Sequence, residues 1–434
     1  MLPAIILFAV TYVLMIAFGK YRPYIALVSG VVFIAAGMLP LGDVLGALDF
    51  NVLLMIAGTM GLVQLFIDSQ MPNRLADMVM NWVPNVCWAV VALSLFAGLI
   101  SAFVDNVATV LMVAPVAMAI CKKLDINPVP VIISIAVSSN LQGAATLVGD
   151  TTAIMLGSAL DMTFFDFFWY HGKPSIFFAV ELGAVLSAAI VWWLFRKEKG
   201  KIEKNPNLTP VTDYVPTILL LGVIVLLMAA SFAPESWNLP AEINGLIACG
   251  MMVIGLIYNV IRYKKADALL SPLKAIDFET LGLLTGLFLM IGGIEKMGVI
   301  AALADLLAQL GGGNLFLLYT VIVWASVLIS AFIDNIPYVA TMIPVIAGLS
   351  AQMGAAMGID PMLVGIPLYF GLLSGATLGG NITPIGASAN IAGTGILRKA
   401  GYEVKNSDFF KIGIPFTFAA IVPAYIYIWL VLGV

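Results

Sequence analysis

Two short segments place an aspartate–asparagine pair inside strongly apolar sequence. They read SAFVDNVATVLMVAPV (residues 101–116) and SAFIDNIPYVATMIPV (residues 330–345), and they are identical at 8 of 16 positions. A carboxylate in the centre of a bilayer costs about 2.5–3.5 kcal/mol on insertion scales, so such a residue marks an ion pathway or a binding site by default. The chemistry that the pattern indicates is cation binding or proton transfer. The candidate cation-binding residues are Asp105, Asn106, Asp334 and Asn335.

The negative charge of these aspartates requires a partner. Only Lys173 and Lys296 lie away from the loops that are assigned to the cytoplasm below, and neither is near a DN pair in sequence. The expected counter-charge is therefore a bound ion, with Na⁺ at Asp105 and Asp334, or a proton. The alternative is that each aspartate caps the helix that follows it by accepting backbone amides, and both roles are compatible.

Two further segments are rich in Gly, Ser, Thr and Asn where a membrane span should be rich in Leu and Ile. They read SSNLQGAATLVGDTTAIMLGSAL (138–160) and LSGATLGGNITPIGASANIAGTG (373–395). Glycine permits positive φ and unwinding, so amides at half-helix N-termini can face an anion and free carbonyls can face a cation. The alternative is a close-packed helix interface. Asp150 either caps the second half-helix or lines the site.

The composition shows that most of the chain lies in lipid. It is 62% hydrophobic and 10% charged, whereas soluble domains average about 45–50% and about 25%. A single histidine, His171, and three scattered cysteines offer no catalytic pair, metal site or disulfide framework, so an enzyme is not expected. Apolar stretches of span length predict the following crossings: 2–18, 25–40, 51–68, 129–160, 174–195, 214–232, 243–261, 279–297, 360–392 and 413–433.

The segments 85–120 and 314–350 are too long for one span, and the DN pairs interrupt them near the middle. We interpret each as a re-entrant hairpin, which is tolerated where it is buried or lines a wet cavity. The intervening loops then place 18 of the 20 Lys and Arg residues on one face. Short basic loops stay in the cytoplasm, which predicts that both termini lie on the outer face.

The sequence thus predicts an all-α membrane protein. Its two inverted repeats would each hold five transmembrane helices and one re-entrant hairpin, with broken helices at the midplane, as in secondary transporters. The first repeat covers 1–195, a cytoplasmic linker covers 196–213, and the second repeat covers 214–434.

Taken together, SAF-DN, NLQGAATLVGD and GATLGGNITPIGASAN resemble the ion transporter superfamily over essentially the whole chain. This superfamily includes divalent anion symporters, the P protein, NhaD antiporters and arsenite and citrate permeases. The DN tips are more similar to the last three groups than to the symporters, which carry Ser-Asn-Thr. GDTTA stands here where GDPPN is usual, and Gln142 replaces a glycine.

The resemblance implies a homodimeric elevator transporter in a prokaryotic plasma (inner) membrane. A scaffold would comprise roughly 1–82 and 205–311, and a transport domain roughly 83–195 and 312–434. Cation binding maps to the hairpin tips, and substrate contacts map to Asn140, Thr146, Thr383 and Asn390. The broken spans supply the rest of the predicted substrate-binding set: Ser139, Gly143, Asp150, Thr377, Gly380 and Asn381.

Two functions remain open at this point. The first is uptake of a small anion, such as a carboxylate, coupled to Na⁺ or H⁺, which the amides of the broken spans favour. The second is a Na⁺/H⁺ antiporter without an organic substrate, which the apparent lack of a buried Arg or Lys favours. The expected partners are a small anion or inorganic cation and membrane lipid. Neither a cofactor nor a nucleic acid is expected.

Overall fold

The computed structural model describes residues 1–124, 126–202, 207–264 and 267–434, and these are mostly helical. Within these ranges eight helices are long and apolar enough to cross a membrane, or up to ten if each of two sharply bent helix pairs is one span. The chain is therefore an integral membrane protein. The predicted linker is described only in part, because residues 203–206 lie outside these ranges.

The first half of the chain contains ten α-helices and two short strands among the described residues. Their bounds are α1 Leu2–Ala17, α2 Arg22–Ala35, α3 Val44–Ala47, α4 Phe50–Asp68, α5 Met71–Trp82, α6 Val86–Ser101, α7 Asn106–Leu124, α8 Pro128–Gly143, α9 Thr151–Ala159, β1 Trp169–Tyr170, β2 Lys173–Pro174 and α10 Ile176–Phe195.

The second half contains a further ten described α-helices. Their bounds are α11 Val215–Ser231, α12 Ile243–Tyr263, α13 Asp267–Ala275, α14 Phe278–Lys296, α15 Val299–Gly311, α16 Leu315–Ser330, α17 Asn335–Met357, α18 Pro361–Gly379, α19 Ser388–Lys399 and α20 Asn406–Tyr427, which continues as a π-helix over Ile428–Leu432.

Short polar residues set the starts of the membrane helices. The Asn85 side chain accepts the Trp88 amide at 3.2 Å, and Asn314 accepts the Leu317 amide at 3.1 Å, so α6 and α16 begin alike. Asn127 and Asp360 cap α8 and α18 in the same way. Each cap satisfies an amide that has no partner within its helix.

The all-α prediction misses one small antiparallel hairpin, in which β1 pairs with β2. His171 and Gly172 form its turn with φ of 48° and 76°. Two consecutive residues with positive φ are the requirement of a tight two-residue β-turn, and glycine at the second position meets it without strain.

The helix pairs that pack together in the first half of the chain have counterparts in the second half, and other pairs join the two halves. α2 packs on α14 and α4 on α12, while α6 packs on α8 and α16 on α18. α10 packs on α20. The broken spans, α8–α9 and α18–α19, touch each other, and their first helices are almost entirely buried. The unwound backbone between the two helices of each broken span is also largely buried, and such backbone can form a binding site.

The linker contacts the start of the first hairpin. The Val86 amide donates to the Gly200 carbonyl oxygen at 3.0 Å, and the Cys87 amide donates to that of Glu198 at 3.1 Å. The N-terminal end of α6 and the segment after α10 therefore lie on the same face of the protein.

Candidate functional site

Both DN pairs lie where one hairpin helix ends and the next begins. Asp105 Oδ1 accepts the amides of Val107 at 3.0 Å and Ala108 at 3.1 Å, at the start of α7. Asp334 Oδ1 accepts the Ile336 amide at 3.1 Å, at the start of α17. The capping role is therefore present at both tips, and each aspartate keeps its second oxygen for another partner.

Asp150 both caps a helix and faces the site, so the two alternatives for this residue hold together. Its Oδ1 accepts the Thr151 amide at 2.8 Å and its Oδ2 accepts the Thr152 hydroxyl at 2.9 Å. Asn335 Nδ2 lies 3.5 Å from the same Oδ2, which brings the second hairpin tip to the first broken span. Ala387 occupies the corresponding N-cap of α19 and offers no side-chain cap.

A cavity of about 370 Å³ lies between the hairpin tips, the broken spans, the C-terminal half of α4 and the start of α14. Its lining includes Ala275 and Asp277 of the segment 262–277, whose basic residues predict the cytoplasmic face. Its polar lining residues are Gln64, Asp105, Asn106, Asp150, Thr151, Asp277, Thr280, Asn335 and Ser388.

Five helix N-termini meet at this cavity. Four belong to α7, α9, α17 and α19, whose first residues are Asn106, Thr151, Asn335 and Ser388, and the fifth is that of α14, whose cap Asp277 lines the cavity. The positive end of each helix dipole favours an anion within about one turn. The cavity therefore combines anion-attracting backbone with the carboxylates of Asp105 and Asp150.

The carboxylates differ in their counter-charges. Asp150 lies within the electrostatic influence of Asp105 and Asp334. Neither Asp105 nor Asp150 forms an ion pair with any residue that the structure describes. Uncompensated carboxylates in a largely buried site attract a small cation or a proton.

Asp334 does have a cationic partner, which corrects the expectation that no Lys or Arg approaches the hairpins. Arg22 Nη1 lies 3.5 Å from Asp334 Oδ2. Arg22 was counted among the basic loop residues because it lies between two apolar stretches. The turn between α1 and α2 instead brings Arg22 to the second hairpin tip. Arg22 is engaged by Asp334 and is not among the residues that line the cavity, so the preference for an antiporter based on the lack of a buried Arg or Lys stays a prediction.

Most of the predicted substrate-binding residues are buried among protein partners. Thr146 donates to the Ala102 carbonyl oxygen, and Thr383 donates to that of Ala331 at 2.5 Å. Asp150 is the one member of the set that lines the described part of the cavity. The others are Ser139, Asn140, Gly143, Thr146, Thr377, Gly380, Asn381, Thr383 and Asn390, and their role as substrate ligands stays a prediction.

Asn140 connects the first hairpin tip to both broken spans. Its Oδ1 accepts Asn106 Nδ2 at 3.1 Å. Its Nδ2 donates to the Thr377 carbonyl oxygen at 2.7 Å and to Asn381 Oδ1 at 3.0 Å. Asn390 fixes the second break by donating to the carbonyl oxygens of Gly380 and Thr383 at 2.9 and 3.0 Å. These bonds hold the unwound segments in one geometry.

The glycines of the two breaks serve close approach rather than positive φ, so the conformational reason given for them is wrong. Gly143 and Gly380 are absent from the positive-φ residues that the structure describes. A Cβ on Gly143 would lie 2.9 Å from Asp150 Cβ, and one on Gly380 would lie 2.7 Å from the Gly386 carbonyl oxygen. At these glycines, the unwound segment of each broken span packs closely against the end of the helix that precedes it.

Sequence reasoning missed several residues that face the cavity. Thr151 and Ser388 begin half-helices directly after Asp150 and Ala387, so their positions in the breaks were an available signal. Asp277 caps α14 by accepting the amides of Glu279 and Thr280 at 3.0 Å each, and it resembles an ordinary helix cap in sequence. Nothing in the local sequence marks Arg22.

Comparisons with known proteins find related sequences over most of the chain. The chain is 34% identical over 343 residues to an uncharacterized transporter of Mycobacterium tuberculosis, covering 78% of this chain and 76% of the relative. It is 26% identical over 500 residues to the P protein of Sus scrofa, covering 95% of this chain and 57% of that protein.

A solved structure has a similar fold. The YdaH transporter of Alcanivorax borkumensis superimposes with a TM-score of 0.59 at 14% sequence identity, covering 89% of this chain and 87% of the other. The citrate transporter family model matches residues 12–368. The predicted resemblance is thereby confirmed at the level of the family, and this family consists of transporters rather than enzymes. The chain belongs to the citrate transporter family.

Proposed function

We propose that the protein is a secondary active transporter of the elevator type, which moves a small anion such as a carboxylate together with Na⁺ or H⁺. The observation that carries this proposal is the convergence on one cavity of five helix N-termini and of the Asp105 and Asp150 carboxylates, which form no ion pair with a described residue. Helix N-termini favour the anion and the carboxylates favour the cation, so each would make the other's binding more favourable.

The cation site belongs at Asp105 and Asp150. Asp105 Oδ1 is engaged by backbone amides, which leaves Oδ2 for a cation. Asp150 lines the same cavity and is repelled electrostatically by the Asp105 carboxylate. A monovalent cation or proton between them would relieve this repulsion. A second Na⁺ at Asp334 would compete with Arg22.

The anion site belongs at the N-termini of α17 and α19. Asn335 and Ser388 face the cavity beside the backbone at Ile336. Amide and hydroxyl donors at helix N-termini suit a carboxylate without requiring a lysine or arginine. The description of the family model as a citrate transporter supports the carboxylate class.

The transport movement would carry the hairpins and broken spans past the scaffold. The pairing of α2 with α14 and of α4 with α12 supports two inverted repeats, and these four helices would form the static part. The cavity lies along this boundary, since Gln64, Asp277 and Thr280 belong to the scaffold and Asp105 and Asp150 to the transport domain. We also propose a homodimer in the plasma membrane with both termini outside.

A Na⁺/H⁺ antiporter is the second candidate. The proximity of Asp105 and Asp150, together with the charge of Asp277 that acts on Asp105, favours it. Carboxylates that influence each other can exchange a proton for a cation without an organic substrate.

Proteoliposomes containing the purified protein separate these functions. Labelled citrate, succinate and malate are offered with an inward Na⁺ gradient, with an inward proton gradient, or with neither, while an internal dye reports pH. Gradient-driven accumulation of one anion supports the proposal. Na⁺-driven proton efflux in the absence of any organic anion supports the antiporter, and no gradient-dependent flux would rule out both.

A further inference from the structure

Arg22 is the first residue of α2, directly after the turn that follows α1, and its side chain reaches the second hairpin tip. Its Nε donates to the Met15 carbonyl oxygen at 3.2 Å, and its Nη1 lies 3.5 Å from Asp334 Oδ2. The exposed fractions of the two side chains are 23% and 9%. The guanidinium thus donates a hydrogen bond to α1 and at the same time neutralises the Asp334 carboxylate, which caps the N-terminus of α17.

A second contact holds the same two parts together. The Tyr12 hydroxyl, on α1, donates to the Pro337 carbonyl oxygen at 2.6 Å and lies 2.5 Å from the Thr341 hydroxyl. Both partners are in α17. Displacement of the hairpin relative to α1 would therefore break the Tyr12 and Arg22 contacts in the same step.

Asp105 and Asp334 are equivalent in sequence but not in surroundings. Asp105 lines the cavity and forms no ion pair with a described residue, whereas Asp334 is paired with Arg22. The Ser388 hydroxyl also lies 3.3 Å from Asp334 Oδ2. The guanidinium charge beside this oxygen offsets the carboxylate charge and so disfavours a second cation at the same atom.

We propose that Arg22 is a tethered counter-cation, which occupies the Asp334 carboxylate in this conformation and excludes a coupling cation from it. Asp334 then binds the coupling cation only after the α16–α17 hairpin leaves α1 and α2. This inference rests on the elevator movement and the cation coupling proposed above.

The consequence is a cation affinity that depends on conformation. In the state that the structure shows, with the cavity reaching the predicted cytoplasmic face, Arg22 would displace the cation and promote its release. In the other state Arg22 would stay on the scaffold and Asp334 would be free to bind a cation. The two states would then differ in affinity without any change in the ligands of the Asp105 site.

Cation binding to the purified full-length protein in detergent tests this inference without measuring transport. Thermal stability is titrated with NaCl at constant ionic strength, with choline chloride as the replacement salt, and in parallel with pH. The variants are Arg22→Gln, Arg22→Lys and Arg22→Gln/Asp334→Asn. The matched control is Lys20→Gln, because Lys20 is an exposed cation two residues away in the same turn.

Arg22→Gln should raise the apparent cation affinity by about two- to fivefold, the range that a partly exposed ion pair supplies. Arg22→Lys should have nearly the wild-type cation affinity, and Lys20→Gln should have the wild-type affinity. Adding Asp334→Asn to Arg22→Gln should abolish the increase in affinity. An Arg22→Gln midpoint equal to that of Lys20→Gln, or a gain that survives Asp334→Asn, would overturn the inference.

A cross-link covers the case in which Arg22→Gln does not fold. Tyr12→Cys/Thr341→Cys, joined by Hg²⁺, would hold α1 on α17 with Arg22 intact. The cross-linked protein should bind Na⁺ or protons more weakly than the same protein after release by thiol, and an unchanged midpoint would contradict the inference. Wild-type protein that responds to neither ion would contradict the proposed function instead.

Discussion

The Asn140 side-chain amide donates to the Thr377 carbonyl oxygen at 2.7 Å, which ties the two broken spans together at equivalent positions of the two halves. The same side chain accepts Asn106 Nδ2 at 3.1 Å. One buried amide therefore joins the first hairpin tip to both breaks, and the geometry of the site depends on it.

Replacing Asn140 by Leu should destabilise the protein strongly. Asn106, Thr377 and Asn381 would each lose a buried hydrogen-bond partner, at a cost of about 1–3 kcal/mol per unsatisfied group. Thermal unfolding in detergent should show a midpoint lower by several degrees. Ser374→Ala is the matched control on α18, because that buried hydroxyl has no partner among the described residues. Equal midpoints for the two variants would show that Asn140 does not hold the breaks together.

Asp105→Asn and Asp150→Asn should each remove the cation dependence of transport while the protein stays folded. Asparagine keeps an oxygen that can accept the capping amides but loses the charge that attracts a cation. The measurement is initial uptake rate against Na⁺ concentration and against pH. Asp49→Asn is the control, since Asp49 caps α4 by accepting the Val52 amide at 3.0 Å and lies outside the cavity. Unchanged cation dependence in both site variants would reduce these aspartates to helix caps.

Gly143→Val and Gly380→Val should each reduce transport per folded molecule at least about tenfold. The added side chains would meet Asp150 and the Gly386 carbonyl oxygen and would open the breaks. Gly395→Val is the control, because a Cβ there meets nothing within 4 Å. Transport is normalised to the amount of monodisperse protein after reconstitution. Wild-type turnover per molecule in both variants would mean that these glycines only pack helices.

Cysteine labelling tests the arrangement of the hairpins in the membrane. Single cysteines at Lys122 and Lys201 should react with an impermeant reagent only from the cytoplasm, and one at Trp237 only from outside, as the loop charges indicate. Lys201 forms a β-bridge with Asn85, so the linker and the start of α6 share one face. Labelling of positions 122 and 201 from opposite faces would show that α6 and α7 cross the membrane as a full pair of spans.

Local polar residues made some parts of the site accessible to sequence reasoning. α7 begins at Asn106 and α17 at Asn335, because an aspartate before each helix accepts its first amides. The breaks likewise follow from glycines that interrupt apolar sequence. These features depend on neighbours within a few residues, which a single sequence displays.

Long-range contacts were not accessible in the same way. Arg22 and Asp334 are far apart in the chain, and a basic residue between two apolar stretches has the pattern of an ordinary cytoplasmic loop. The sequence indicates that Asn140 and Thr377 are polar residues of the site, but it does not show that the Asn140 side chain donates to the Thr377 carbonyl oxygen across the two broken spans. Residue type predicted polarity at the site but not the partner.

Gradient-driven anion uptake by wild type and Asp150→Asn, compared in the same proteoliposomes, tests the central claim most directly. The account predicts that wild type accumulates a carboxylate above its external concentration when a Na⁺ or proton gradient is imposed, and that Asp150→Asn does not. Equal accumulation by the two proteins, or accumulation by wild type without any cation gradient, would contradict a cation-coupled anion site between the hairpin tips.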